Sequence, residues 1–92
     1  MDPYLEVVRK IISNQEIIIG PVAVEQAKKV QGLEVSGKDT VKINGNPKDV
    51  LSDLVKQYSQ LFGRASVEVC KEAARDLIDK LPKNDVPSVL LS

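Results

Sequence analysis

Residues 32–39, GLEVSGKD, have the glycine and lysine spacing of a phosphate-binding loop up to the last position of that motif. The last position holds Asp39, where such a loop needs a Ser or Thr hydroxyl to bind Mg²⁺. The residues that follow alternate like a strand, so no helix N-terminus is placed to receive an anion. We therefore expect a plain hairpin turn here and no nucleotide binding.

Two pairs of carboxylates have the four-residue spacing that would place both members on one face of a helix, as acid-base chemistry or metal binding requires. They are Asp49 with Asp53 and Glu72 with Asp76. Lysines surround both pairs, and nothing in the sequence places either pair in a pocket, so solvated surface charge is the favoured interpretation. A metal-free active site that uses Tyr58 or a lysine is the alternative that the sequence leaves open.

The chain contains no His and one Cys, so it cannot form a Ser-His or Cys-His pair or the usual zinc ligand sets. We expect no enzyme activity, no metal and no cofactor. The single Cys70 lies on a helical pattern and is predicted to be a small buried side chain. No disulfide within the chain is available, which favours a cytoplasmic location.

The size and charge of the chain limit the kinds of protein that it can be. Ninety-two residues, 42% hydrophobic and 28% charged, predict one globular domain over residues 1–92. Thirteen basic residues balance thirteen acidic ones, so bulk attraction to nucleic acid or to an anionic membrane is not expected. The longest apolar run, 17–19, is far shorter than the roughly 20 residues of a membrane span.

Apolar residues at helical spacing predict four helices. The first runs from Pro3 to about residue 19, and the second, after Gly20-Pro21, runs over 22–30. The third begins at Asn46-Pro47 and ends before Gly63, and the fourth covers about 65–81. The predicted inward faces contain Leu5, Val8, Ile11, Ile12, Ile18 and Ile19 in the first helix, Val50, Leu51, Leu54, Val55, Tyr58, Leu61 and Phe62 in the third, and Val67, Cys70, Ala74, Leu77, Ile78 and Leu81 in the fourth.

Residues 33–44 change to a period of two and predict a β-hairpin. Because two short strands alone are marginal in water, the hairpin must lay its apolar face on the helices. The expected fold is mostly α, a four-helix arrangement of two helix-Gly-helix hairpins connected by a short β-hairpin. Placing residues 6–30 over 49–73 aligns Gly20 with Gly63 and several further identities, which suggests an internal repeat of 3–30 and 46–73.

The helix-Gly-helix outline around Gly63 also resembles a helix-turn-helix, so a small nucleic-acid-binding domain is the main alternative function. The second helix of that outline begins with Arg64 and soon presents Glu68, and its later cations alternate with acids. Few aromatic residues are available for stacking on bases. A carrier of a small apolar ligand, held between the helical hairpins, is the third possibility.

Two surfaces favour protein contact, which is the function we expect. One is the hairpin, whose strands have free edges that can pair with a second copy. The other is the C-terminal tail, 82–92, where apolar residues follow a polar connector and dock either on their own bundle or on a partner. We expect a non-catalytic protein-interaction or assembly module that associates with itself. The candidate interface residues are Val35, Val41, Ile43, Val89, Leu90 and Leu91.

Overall fold

The chain is mostly helical and carries one small β-hairpin, as the sequence predicts. A computed structural model describes residues 3–37, 40–75, 77–81 and 86. Within this part of the chain there are four α-helices, two antiparallel strands and a final 3₁₀ turn, Ile78–Lys80. The elements are α1 (Pro3–Ile19), α2 (Val22–Ala27), β1 (Leu33–Gly37), β2 (Thr40–Ile43), α3 (Pro47–Phe62) and α4 (Arg64–Ala74).

Helix α1 buries one stripe of side chains at helical spacing. The stripe ends at Gln15, one turn before the helix itself ends. The prediction that Ile18 faces the core is wrong, because that side chain is largely exposed. The predicted inward residue Ile19, in the same turn, is half-buried and packs against the core. The buried members of α1 are Val7, Val8, Ile11, Ile12 and Gln15.

Helix α2 is shorter than the pattern predicts and ends at Ala27. After it, Lys29 and Val30 donate their amides to the carbonyls three residues earlier, at 3.1 Å each. Bonds of this kind tighten the last turn of a helix. After this tighter turn, Val30 is buried in the core and the chain continues into β1.

The hairpin pairs Leu33 with Ile43 and Val35 with Val41, and a register shift follows between Val35 and Gly37. Both apolar pairs lie on one face of the ribbon. That face contacts α1 and α2, as predicted: β1 packs beside α2, and β2 beside α1. Leu33 and Val41 are buried in the core, while Val35 and Ile43 pack against its edge.

Helix α3 begins as the sequence predicts. The Asn46 side chain accepts hydrogen bonds from the amides of Lys48 (2.9 Å) and Asp49 (3.4 Å), and Pro47 occupies the first turn. This is the usual N-cap arrangement, which satisfies amides that have no partner inside the helix. Its buried stripe is Val50, Leu51, Leu54, Val55 and Tyr58.

Helix α4 ends at Ala74, well before the predicted end at 81. The chain continues through i to i−3 hydrogen bonds, such as Leu77 to Ala74 at 2.9 Å and Leu81 to Ile78 at 3.1 Å. This tighter winding turns Leu81 into the core, where it is buried. The predicted fourth helix is therefore an α-helix followed by a separate 3₁₀ turn.

The four helices form a ring of contacts. Helix α1 packs on α2 and on α4, and α3 also packs on both. Their inner faces, with the hairpin, enclose one apolar cluster. In the described part of the chain, no helix is both long enough and apolar enough to cross a membrane.

Gly20 and Gly63 have the same local geometry. Their φ angles are +74° and +76°, a region that L side chains rarely adopt. Each amide donates to the carbonyl four residues earlier, Glu16 at 2.9 Å and Ser59 at 2.8 Å. Each carbonyl accepts from the amide three residues later, at 3.0 and 3.1 Å. Both glycines thus end a helix with the same pattern of hydrogen bonds, but α4 begins directly after Gly63, whereas α2 begins after the additional residue Pro21. Superposition of the two whole halves stays a prediction.

Candidate functional site

The segment that resembles a phosphate-binding loop is part of the hairpin. Gly32 has φ +84°, and its carbonyl accepts a 2.7 Å hydrogen bond from the Asn44 amide. A Cβ at this position would lie 2.9 Å from the Asn44 carbonyl oxygen and 3.1 Å from a methyl of Val50. Close packing at the base of the hairpin thus explains this glycine. Strand β1 follows it directly, and Lys38 and Asp39 lie outside the described residues.

The predicted carboxylate pairs are surface groups where the structure describes them. Asp49 and Asp53 are exposed on α3. The Glu72 carboxylate forms an ion pair with the Arg75 guanidinium, with 2.7 Å between oxygen and nitrogen, and both side chains are more than half exposed. Asp76 lies outside the described residues. Among the residues that are described, no three potential metal ligands of the His, Cys, Asp or Glu type come together.

Polar side chains do meet inside the molecule, where the four helices converge. The Gln15 amide nitrogen donates to the Ser66 carbonyl at 3.0 Å and lies 3.4 Å from the Cys70 sulfur. The Tyr58 hydroxyl donates to the Ala23 carbonyl at 2.7 Å. We call Gln15, Tyr58, Ser66 and Cys70 the buried polar cluster, because none is more than 4% exposed.

The buried polar cluster is unsuited to acid-base or nucleophilic chemistry. Burial raises the pKa of the Cys70 thiol from 9.0 to about 11, against a smaller opposing effect of the Gln15 hydrogen bond. Burial also raises the pKa of Tyr58, with smaller contributions from Cys70 and Glu16. Both groups are therefore protonated near neutral pH. A thiol needs its thiolate form to attack, and Cys70 is shielded from solvent as well.

Sequence reasoning missed this cluster because Gln15 is polar within an apolar stripe. In the suggested repeat, Gln15 aligns with Tyr58 as one of the pairs of unlike type. Both side chains are buried, and both hydrogen-bond to a backbone carbonyl of a neighbouring helix. The one available signal was the alignment of Gln15 with Tyr58, which the sequence assigns to an inward face. A polar residue can occupy such a buried position when it finds a hydrogen-bond partner.

Helix α4, the recognition helix of the helix-turn-helix interpretation, is packed between α1 and α3. Ser66, near its start, is buried. On its outer face Lys71 is 3.5 Å from Glu68, and Arg75 pairs with Glu72. Acids therefore neutralise these cations, which weakens their attraction to phosphate groups.

The predicted interface residues divide into two groups. Val41 is buried, and the half-buried Val35 and Ile43 pack on the core of their own chain. The hairpin thus keeps only its outer face and backbone edges for a partner. The tail residues Val89, Leu90 and Leu91 lie outside the described residues, although Val86, before them, is buried.

Large apolar side chains are exposed at the glycine turns instead. Sequence reasoning missed this surface because it assigned Ile18, Leu61 and Phe62 to inward faces. Five such residues are exposed: Ile17 (80%), Ile18 (62%), Leu61 (51%), Val22 (42%) and Phe62 (38%). We call these five residues the apolar end patch.

Hydrogen bonds of the buried polar cluster place these five residues at one end of the molecule. The bond from Gln15 to Ser66 sets the last turn of α1 beside the first turn of α4, which directly follows Gly63. The bond from Tyr58 to Ala23 sets the last turns of α3 beside the start of α2. Both glycine turns, and the apolar residues on either side of them, therefore share this end.

Two shallow grooves elsewhere have polar linings. One, of about 220 Å³, lies between the chain after α2 and helix α3, and its lining includes Lys29, Asp53 and Lys56. The other, of about 260 Å³, is lined by Glu6, Arg9 and three other residues of α1 and the turn after α4. Neither has the apolar walls that a carrier of an apolar ligand requires.

No protein-family model, curated protein sequence or solved structure matches this chain.

Proposed function

We propose that this chain is a non-catalytic protein-interaction module that assembles with copies of itself. The observation that carries the proposal is the apolar end patch, in which five large aliphatic or aromatic side chains are exposed at one end of a small domain. Exposed apolar residues scattered singly are ordinary on soluble proteins, whereas a concentration of them is typical of an interaction site.

The polar groups of the described chain support a non-catalytic function. The titratable groups inside the molecule, Cys70 and Tyr58, are buried and protonated. The outer face of α4 places acids beside its cations Lys71 and Arg75. These arrangements suit stability and solubility better than chemistry on a substrate or binding to a phosphate backbone.

Neutral charge favours association of the chain with itself. With thirteen charges of each sign, two copies approach each other without net repulsion. A net charge near zero is also a condition under which proteins tend to associate.

The test is the native mass of the purified chain by light scattering over a wide concentration range. We expect a concentration-dependent rise from 10.1 kDa to twice that mass. A mass of one chain at every concentration up to ~1 mM would overturn the proposal, since even weak specific dimers associate at that level.

A further inference from the structure

The structure offers two surfaces for self-association, the hairpin and the apolar end patch. Resting on the proposed function, we infer that the apolar end patch is the interface, and that its occupant is the same patch of a second copy, related by a two-fold axis.

The area of the patch fits a small dimer interface. The exposed fractions of its five side chains correspond to a combined exposed area on the order of 500 Å². Two copies that cover each other's patches would bury about 1,000 Å² in total, which is the lower limit for specific interfaces. Contacts from the polar residues at the rim add to this area. The expected complex is thus a weak, reversible dimer, with a dissociation constant in roughly the micromolar range or above.

The hairpin is the weaker candidate because its apolar face is already covered. Leu33 and Val41 are in the core, and Val35 and Ile43 pack on it. The exposed residues of the strands are polar: Glu34 accepts a 2.6 Å hydrogen bond from Asn44, and Lys42 lies opposite Glu34. Charged residues on an edge strand oppose pairing with another strand.

Two-fold pairing suits a patch that meets a copy of itself. An isologous interface uses one surface on both subunits and closes after two copies. The chain carries thirteen charges of each sign, so two copies that meet at this end experience no net repulsion.

Leu61→Glu tests the surface, because the Leu61 side chain is about half exposed and lies outside the core cluster. Each dimer then carries the new charge twice, so we expect the dissociation constant to rise by at least roughly 100-fold. Thr40→Glu, at an exposed position of the hairpin, is the matched control, since it adds the same charge. We expect it to leave the constant within about threefold. Circular dichroism and urea midpoints verify that both variants fold.

Tryptophan fluorescence supplies a second readout, because the chain contains no Trp. Phe62→Trp places a single reporter in the patch, and Lys42→Trp places one on the hairpin. We expect the emission of Phe62→Trp to shift to shorter wavelength as concentration rises, in step with the mass, and the emission of Lys42→Trp to stay constant.

The outcomes separate the two proposals. A wild-type chain that is monomeric at every concentration overturns both. A dimer that Leu61→Glu leaves intact, or in which Lys42→Trp responds and Phe62→Trp does not, overturns only the assignment of the patch. A mass that grows beyond two chains overturns the two-fold symmetry. A short-wavelength emission of Phe62→Trp in the monomer, lost on Leu91→Glu, would assign the patch to the chain's own tail and overturn the second copy as occupant.

Discussion

Two neighbouring regions of this molecule have opposite distributions of polar and apolar side chains. In the buried polar cluster, an amide, a phenol and a thiol are enclosed by the four helices, and the amide and the phenol donate to backbone carbonyls. About one helical turn away, at the apolar end patch, isoleucine, leucine and phenylalanine side chains are exposed. The same helices, α1 and α3, supply residues to both regions.

The difference is the basis for assigning the buried polar cluster to folding and, in our proposal, the apolar end patch to binding. Buried polar groups are stable when each has a hydrogen-bond partner, and here they fix how the two helical hairpins meet. Exposed apolar groups gain less from folding than core residues do, because folding leaves a large part of their surface in water. Their free energy becomes available only when another surface covers them.

The largest expected effect comes from one residue type placed in each environment of α1. Ile12 is fully buried and Ile17 is 80% exposed. Ile12→Ala creates a cavity and should lower the free energy of unfolding by about 2–5 kcal/mol. Ile17→Ala makes the same chemical change and should alter it by less than about 0.5 kcal/mol. Urea denaturation of dilute protein measures both, and equal losses would refute the division between folding and binding residues.

Alkaline pH should destabilise the fold through Cys70. Its pKa is raised from 9.0 to about 11, so the unfolded chain loses the thiol proton at lower pH than the folded chain. The contribution is intact below pH 9 and is lost as pH rises towards 11, by on the order of 2–3 kcal/mol. In Cys70→Ala, the free energy of unfolding should decline less steeply in this window. Part of the decline that remains comes from Tyr58, because burial raises the pKa of its hydroxyl as well. Identical declines in urea titrations of the two chains would contradict the burial of a protonated thiol.

A smaller effect is expected from Tyr58→Phe. The substitution removes the hydroxyl that donates to the Ala23 carbonyl at 2.7 Å and keeps the ring. The free energy of unfolding should fall by about 1 kcal/mol, the usual net contribution of one buried hydrogen bond. An unchanged urea midpoint would show that this bond does not help to hold α2 against α3.

The smallest effect on folding is expected in the apolar end patch itself. Leu61→Gln should change the free energy of unfolding of the dilute monomer by less than about 0.5 kcal/mol. At high concentration it should weaken self-association, so the two measurements separate. A loss above about 2 kcal/mol in dilute protein would place Leu61 in the core.

The fold was largely predictable because its signals are local. Apolar stripes at helical spacing, the Asn46-Pro47 cap and the alternation in 33–44 each determine an element within a short window. The end of α4 was not predictable in this way. Leu77, Ile78 and Leu81 continue the helical spacing, but a 3₁₀ turn replaces the longer α-helix here. Leu77 and Ile78 pack against the core, and Leu81 is buried in it.

The candidate site was harder to predict because the exposure of an apolar side chain depends on which side of its helix the neighbouring helices cover. Ile18 and Phe62 continue the apolar stripes of their helices, and periodicity alone assigns them to the core. Their exposure follows from packing between α1, α3 and α4, which involves residues some fifty positions apart in sequence, such as Gln15 and Ser66. No local pattern contains that information.

The most direct test of the account is the native mass of three chains at one high concentration, measured by light scattering: wild type, Leu61→Glu and Thr40→Glu. The account predicts dimers for the wild type and Thr40→Glu, and a monomer of 10.1 kDa for Leu61→Glu. Equal masses for all three, or a monomer formed only by Thr40→Glu, would contradict the assignment of the apolar end patch as the surface through which this protein assembles.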